Sequence, residues 1–139
     1  MSGIEIRRAT AVDLDAIEEI QNESPEASAW LPVSYLVHDC SVAIVDNRVA
    51  GFLVSRSISS DEREILNVAV RPAYRRGGVG RALVEADLTR NRGSCFLEVR
   101  ESNQVAINLY KAMGFEVVGR RADYYDHPPE AAIVMRFFS

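Results

Sequence analysis

Three groups of residues in this sequence have types and spacings that can do chemistry. The first is the run Arg75-Arg76-Gly77-Gly78-Val79-Gly80-Arg81. Small residues let a backbone approach a ligand closely, and the first turn of a helix offers unpaired N–H groups and a positive dipole end. With Arg75, Arg76 and Arg81 adding mobile charge, the turn suits a pyrophosphate. The second is Cys95-Phe96-Leu97-Glu98-Val99-Arg100, which sets Glu98 in a short apolar strand on the face of Phe96 and Arg100. Partial desolvation there suits a general base, while the plainer alternative is a strand acid paired with Arg100. The third is Asn103, Ile107 and Tyr110 at i, i+4 and i+7, on one helix face. Asn103 can donate and accept, and Tyr110 offers a phenolic proton or is simply a core aromatic. Val105, Leu109 and Ala112, one face over, read as core.

Spacing narrows the glycine turn. A Walker loop needs Lys-Ser or Lys-Thr after its last glycine, where this chain has Arg81-Ala82. A Rossmann fingerprint needs a small residue where Leu83 stands and a second βαβ half that the remaining chain is too short to supply. His38 and His127 have no second histidine or cysteine at ligand spacing, so no metal is expected. Asp13, Asp15, Glu18 and Glu19 read as the solvated face of a helix. Trp30 and Tyr35, near Pro32, read as core or rim packing, with a substrate cleft as the alternative.

These groups need elements to hold them. Residues 3–7 alternate as an edge strand, and Thr10-Ala11-Val12-Asp13 resembles a capping box opening a helix striped by Leu14, Ile17 and Ile20. A short helix is expected from Pro32. Residues 40–45 and 49–57 read as strands around the turn Asp46-Asn47-Arg48, and 64–70 as a third, linked through 59–62. Residues 78–91 form a helix striped by Val79, Leu83 and Ala86, 95–99 a strand, and 102–113 a helix that Gly114 terminates. Residues 115–119 and 131–137 close the chain as strands around a polar loop at 123–130. The order β-α-α-β-β-β-α-β-α-β-β predicts an α/β fold, a mixed sheet with helices on both faces.

At 139 residues the chain fits a single domain spanning 1–139. Hydrophobic residues at 47% and charged residues at 26% exclude disorder. No apolar run is long enough for a bilayer and no signal peptide is visible, so a cytoplasmic protein without membrane attachment is expected. Cys40 and Cys95 read as reduced, buried thiols. The net charge of −4 is uneven: residues 1–70 carry 5 basic and 12 acidic side chains, whereas residues 71–100 carry 7 arginines and 3 acids. That balance suits one compact anion better than direct nucleic-acid binding.

The ordered set of motifs resembles the GCN5-related N-acetyltransferase (GNAT) superfamily, and within it the ribosomal-protein-alanine (RimI-type) branch. The cofactor motif, Arg/Gln-x-x-Gly-x-Gly/Ala, appears as Arg75-Arg76-Gly77-Gly78-Val79-Gly80. The branch resemblance rests on Asn67-Val68-Ala69-Val70, Leu97-Glu98-Val99-Arg100, Ser102-Asn103, Leu109-Tyr110, Met113-Gly114-Phe115, Arg120-Arg121, Tyr124-Tyr125 and Ala132-Ile133-Val134-Met135. It implies acetyl-CoA as donor and direct transfer to an amine, the α-amine of a protein N-terminus in this branch. By the same resemblance, Val68, Ala69 and Val70 pair with pantetheine and hold the thioester carbonyl, and the 76–81 turn cradles the pyrophosphate. Asn103 bonds the pantetheine arm, Glu98 accepts the amine proton, Tyr110 protonates the departing thiolate, and Tyr124 and Tyr125 shape the acceptor cleft. A small-molecule amine or lysine acceptor, and a non-catalytic acyl-CoA-binding module, stay open as alternatives, as does a monomer or a homodimer.

Overall fold

The computed structural model describes residues 3–24, 32–91, 93–126 and 128–138. Trp30 and His127 lie outside them. Seven strands hydrogen-bond in the order β1-β2-β3-β4-β5-β7-β6. They are β1 (Glu5–Arg8), β2 (Asp39–Val45), β3 (Arg48–Ser59), β4 (Glu62–Val70), β5 (Ser94–Arg100), β6 (Glu116–Tyr125) and β7 (Glu130–Phe137). Among the described residues three α-helices join them: α1 (Leu14–Asn22), α2 (Val79–Arg90) and α3 (Gln104–Ala112). The expected mixed α/β fold is present. The helix expected from Pro32 is a 3-10 segment, Pro32–Val37. Six residues including Val33, Ser34 and Val37 are too few and too weakly helical to sustain an α-helix.

The chain packs as two compact units, Met1–Arg56 with Leu66–Asn91, and Ser57–Ile65 with Arg92–Ser139. In the first unit, β2 and β3 join through Asp46 and Asn47, both left-handed (φ 51° and 62°), as a two-residue hairpin turn requires. Alternation along the paired strands then divides two apolar sets. Cys40, Val42, Phe52 and Val54 cluster with Ile17 and Ile20 of α1 and with Tyr35. Ser41 and Ser55, one residue out of phase, face α2: Ser55 donates to the buried Asp87 and Arg90 donates to Ser41. Helices therefore cover both faces of these strands. The buried positions of α2 are Val79, Leu83, Val84 and Asp87, with Ala86 only half-buried.

The solvated face expected of α1 is a correction in part. Asp13 is 3% exposed, and its two carboxylate oxygens meet Arg7 at 2.8 and 2.9 Å while Thr10 N–H donates to it. Arg7 draws it inward because a carboxylate satisfied on both oxygens tolerates burial. Asp15, Glu18 and Glu19 are exposed as expected, and Glu19 also pairs with Arg71.

In the second unit β5 lies between β4, parallel, and β7, antiparallel, and β6 pairs with β7. Cys95, Leu97 and Val99 are buried on one face of β5. Tyr110, Phe115 and Phe137 stack there at centroid distances of 5.5 Å. Helix α3 ends as expected. Gly114 is left-handed (φ 103°), its N–H donates to the Lys111 carbonyl, and Phe115 N–H reaches back to that of Tyr110. The core reading of Val105, Leu109 and Ala112 fails, since Val105 is 84% exposed. Ile107 and Tyr110 are the buried residues of α3, on nearly the opposite side of the helix from that stripe. The closing loop is also shorter than expected. Strand β6 runs through Tyr125, so Tyr124 and Tyr125 are strand residues and only 126–129 separate β6 from β7.

Candidate active site

In the first unit the chain leaves β4 at Val70 and enters α2 at Val79. Val68, Ala69 and Val70 end β4, three to five residues past its last pair with β5, Ile65 with Leu97. Arg71 fixes the exit. Its N–H donates to the Ala50 carbonyl at 2.7 Å, and its guanidinium meets the Val49 carbonyl at 2.7 Å and Glu19 at 2.6 Å. Close approach also sets this corner: a Cβ on Gly51 would lie 2.8 Å from the Ala69 carbonyl oxygen and 3.2 Å from Val79.

The turn itself fits an anion. Arg76 (φ 68°) and Gly78 (φ 83°) are left-handed and swing the chain into α2. Gly78 is the N-cap and brings no side-chain acceptor. The first N–H groups of α2 therefore have no internal partner, at the positive end of a 12-residue helix. Residues 75–78 are exposed, and nothing lies within 4 Å of a Cβ built on Gly78. Among the described residues Arg76 has no ion pair. The other two arginines are less mobile than expected. Arg75 donates to the carbonyls of Val70 and Glu23 and to Ser24, so it is a strut for the turn; Arg81 is bonded to Glu85 at 2.7 Å, one helical turn on.

In the second unit Glu98 lies on the face of β5 shared with Phe96 and Arg100, with its side chain 10% exposed. Arg100 is not its partner, which corrects that alternative. Arg100 binds Glu130 and the carbonyls of Pro128 and Asp126. Glu98 is held instead by Arg121, at 2.9 Å. Register explains the exchange: Arg121 opposes Ala132 of β7, which opposes Arg100, so all three share one face.

Tyr124 and Tyr125 join this group. Their rings meet edge to face at 5.0 Å, Arg121 lies over Tyr124 at 4.5 Å, and Arg100 over Tyr125 at 4.4 Å. Two consecutive strand residues would normally point to opposite faces. Here the register is irregular between Arg121 and Tyr125, and Asp123 is left-handed (φ 54°). Burial, then the charge of and a hydrogen bond with Glu98, push the Tyr124 phenol up. Burial pushes Tyr125 up to about 12, with Tyr124 and Glu98 adding to it.

Tyr110 packs against Phe115 and Phe137, on the Cys95 face of β5, opposite to Glu98. It is 7% exposed, and burial first, then Cys95 and Tyr125, raises its phenol far above the ordinary value. It stays protonated at any physiological pH. Asn103 is the N-cap of α3 rather than a residue inside it, and its Oδ1 accepts from Ala106 N–H at 3.2 Å. That use of the oxygen leaves the amide NH2 as its donor. Tyr35 is core: it is fully buried, and its hydroxyl bonds Gln21 and Asn67.

A model of the acetyltransferase (GNAT) family matches residues 9–115, a stretch that takes in parts of both units. The chain is 40% identical over 96 residues to the ribosomal protein bS18-alanine N-acetyltransferase of Escherichia coli, across 65% of this chain and 64% of that one. The crystal structure of the ribosomal-protein-S18-alanine N-acetyltransferase from Escherichia coli superimposes with a TM-score of 0.84 at 29% identity, covering 98% of this chain and 94% of that one. The Ard1 structure from Thermoplasma volcanium does so with a TM-score of 0.89 at 30% identity, covering 97% of each. The chain spans under two thirds of several curated relatives it matches: 64% of the E. coli enzyme, and 21% of an uncharacterised Mycobacterium leprae protein, 45% identical over 76 residues.

Proposed function

Because this chain belongs to the GNAT family of acetyltransferases, we propose that it moves the acetyl group of acetyl-CoA to the α-amine of a protein N-terminus of ribosomal-protein type. The observation that carries the donor is the α2 N-terminus, whose glycine cap supplies no acceptor while Arg76 beside it has no ion pair among the described residues. Residues 76–81 take the pyrophosphate there. Val68, Ala69 and Val70 pair along pantetheine, and a backbone N–H among them stabilises the thioester oxygen as it gains charge. Asn103 donates its amide to the same arm.

Glu98 and Tyr110 supply the proton chemistry. Glu98 takes a proton from the ammonium, the freed nitrogen attacks the thioester carbon, and the C–S bond breaks as the C–N bond stays. Tyr110 gives its proton to the departing thiolate and regains one from the newly acetylated nitrogen, which leaves a neutral amide. Tyr124 and Tyr125 flank the acceptor. An α-amine, with a pKa near ~8 against about 10.4 for lysine, needs far less help from one carboxylate at neutral pH. The acidic residues 1–70 favour a basic acceptor chain. Cys40 and Cys95, buried as thiols, support a cytoplasmic setting.

The test is a pair of peptides incubated with acetyl-CoA. One begins Ala-Arg with a free N-terminus; the other is N-blocked and carries an internal lysine. Acetylation of the first alone, slowing as salt rises, is expected. Equal or preferential modification of the blocked peptide overturns the N-terminal assignment.

A further inference from the structure

Glu98 sits at one end of a continuous side-chain stack on β5, β6 and β7. Glu130, bonded to Ser102 N–H, holds Arg100; Arg100 lies over Tyr125; Tyr125 meets Tyr124 edge-on; Arg121 lies over Tyr124 and binds Glu98 Oε2. The irregular stretch at Asp123 is what turns both tyrosines toward the two arginines. Each guanidinium is fixed in plane by a ring and in direction by a carboxylate, an arrangement that a lysine ammonium cannot reproduce. A glutamate has three rotatable bonds, and Arg121 gives the Glu98 carboxylate a fixed partner at 2.9 Å.

The geometry points to Arg121 as the positioning residue of the base: it pins Glu98 Oε2 so that Oε1 is presented to the incoming ammonium. Tyr124, besides flanking the acceptor, supports Arg121 through its ring. This inference rests on the reading of Glu98 as the base. Arg121 is itself 58% exposed, so its substitution removes little buried surface and leaves the fold intact.

A double-mutant cycle on kcat tests it. With a saturating Ala-Arg peptide and acetyl-CoA, Arg121→Ala lowers kcat about tenfold and leaves both KM values within about twofold. Arg121→Lys recovers part of that loss, since it restores charge without the planar fork. Tyr124→Leu, which removes the ring beneath the guanidinium, gives a smaller fall in the same direction. In a Glu98→Gln background, Arg121→Ala has no further effect. An undiminished kcat in Arg121→Ala, a rise in peptide KM alone, or the same tenfold fall in the Glu98→Gln background each overturns the inference. A fully active Glu98→Gln enzyme is a different failure: it removes the base itself, and the positioning role with it. If Arg121→Ala lacks a cooperative unfolding transition, Arg121→Lys and Tyr124→Leu carry the same comparison.

Discussion

Substituting Gly78 separates the strain of the glycine turn from its service to the donor. The residue sits at φ 83°, where a side chain costs about 1–2 kcal/mol, and less for asparagine, which tolerates that region. Beyond its chain neighbours, none of the described residues has an atom within 4 Å of an added Cβ, so the fold around it adds no steric conflict there. A side chain there occupies only the space from which a pyrophosphate would approach the α2 N–H groups. At a hundredfold excess over Kd, acetyl-CoA stabilises the folded parent by about 2.7 kcal/mol. In a chain of this size that is roughly 10 °C, taking about 4 °C per kcal/mol. Gly78→Val should lower the Tm of the free protein by about 4–8 °C and abolish the acetyl-CoA shift. Gly78→Asn should leave the free protein within about 2 °C of the parent and still abolish the shift. Gly77→Ala, whose Cβ would lie 3.4 Å from the Tyr74 carbonyl oxygen and needs no left-handed backbone, serves as the comparison and should lose much less. Thermal melts with and without acetyl-CoA, checked by calorimetric titration, read these differences. A Gly78→Asn protein with the parent's full ligand shift would refute the reasoning.

Tyr110→Phe removes the proposed acid and one ring hydroxyl but keeps the packing on Phe115; thiol release should slow at least tenfold, with acetyl-CoA affinity unchanged. An unchanged rate across pH would assign the acid elsewhere. Asp13 is held below the ordinary aspartate range, first by its hydrogen bonds to Arg7. Its contribution to stability is therefore complete above pH ~4, the unfolded value, and is lost as pH falls through the lower folded value. Arg7→Gln should cost about 2 kcal/mol at pH 7, a figure reduced for the partial exposure of Arg7, and should flatten the loss of stability on acidification to pH 3 in denaturant titrations. Cys40 is buried and its thiol is pushed up to about 12 by that burial. A thiol reagent at pH 8 should leave it unmodified in the native protein and label it on unfolding; rapid native labelling of Cys40, located by mass spectrometry, would contradict the burial.

Local chemistry was the legible part of the sequence. The Asp46-Asn47 hairpin, the Gly114 helix end and the glycine-rich entry to α2 are each written in a few adjacent residues, because a left-handed backbone or an uncapped helix tolerates few residue types. Partnerships across strands were not legible. Arg100 neighbours Glu98 in sequence, yet Arg121 holds it, because the insertion of β7 between β5 and β6 sets which arginine faces the carboxylate. Sequence reasoning had no means to see that order. The same applies to Asp13, whose burial depends on Arg7 of the preceding strand, and to Gly51, whose need to be small arises from Ala69 and Val79. Periodicity also misplaced Val105: two apolar stripes on nearly opposite sides of one short helix give equal signals, and tertiary packing decides between them.

The outermost strands of the sheet have a bearing on how the protein behaves at high concentration. A bare strand edge is a template for another chain, and extended, flat, apolar edges seed ribbons and fibrils. Strand β1 is only four residues long and half of them are arginines, Arg7 and Arg8. Strand β6 is longer and carries the exposed Val117 and Val118, but its ladder to β7 slips between Val117 and Gly119 and again between Arg121 and Tyr125. Glu116, Arg120, Arg121 and Asp123 crowd the same strand with charge of both signs. The irregularity that gathers the tyrosines thus also spoils β6 as a docking rail, so that the stretch most open to misassembly is interrupted where it would need to be straight.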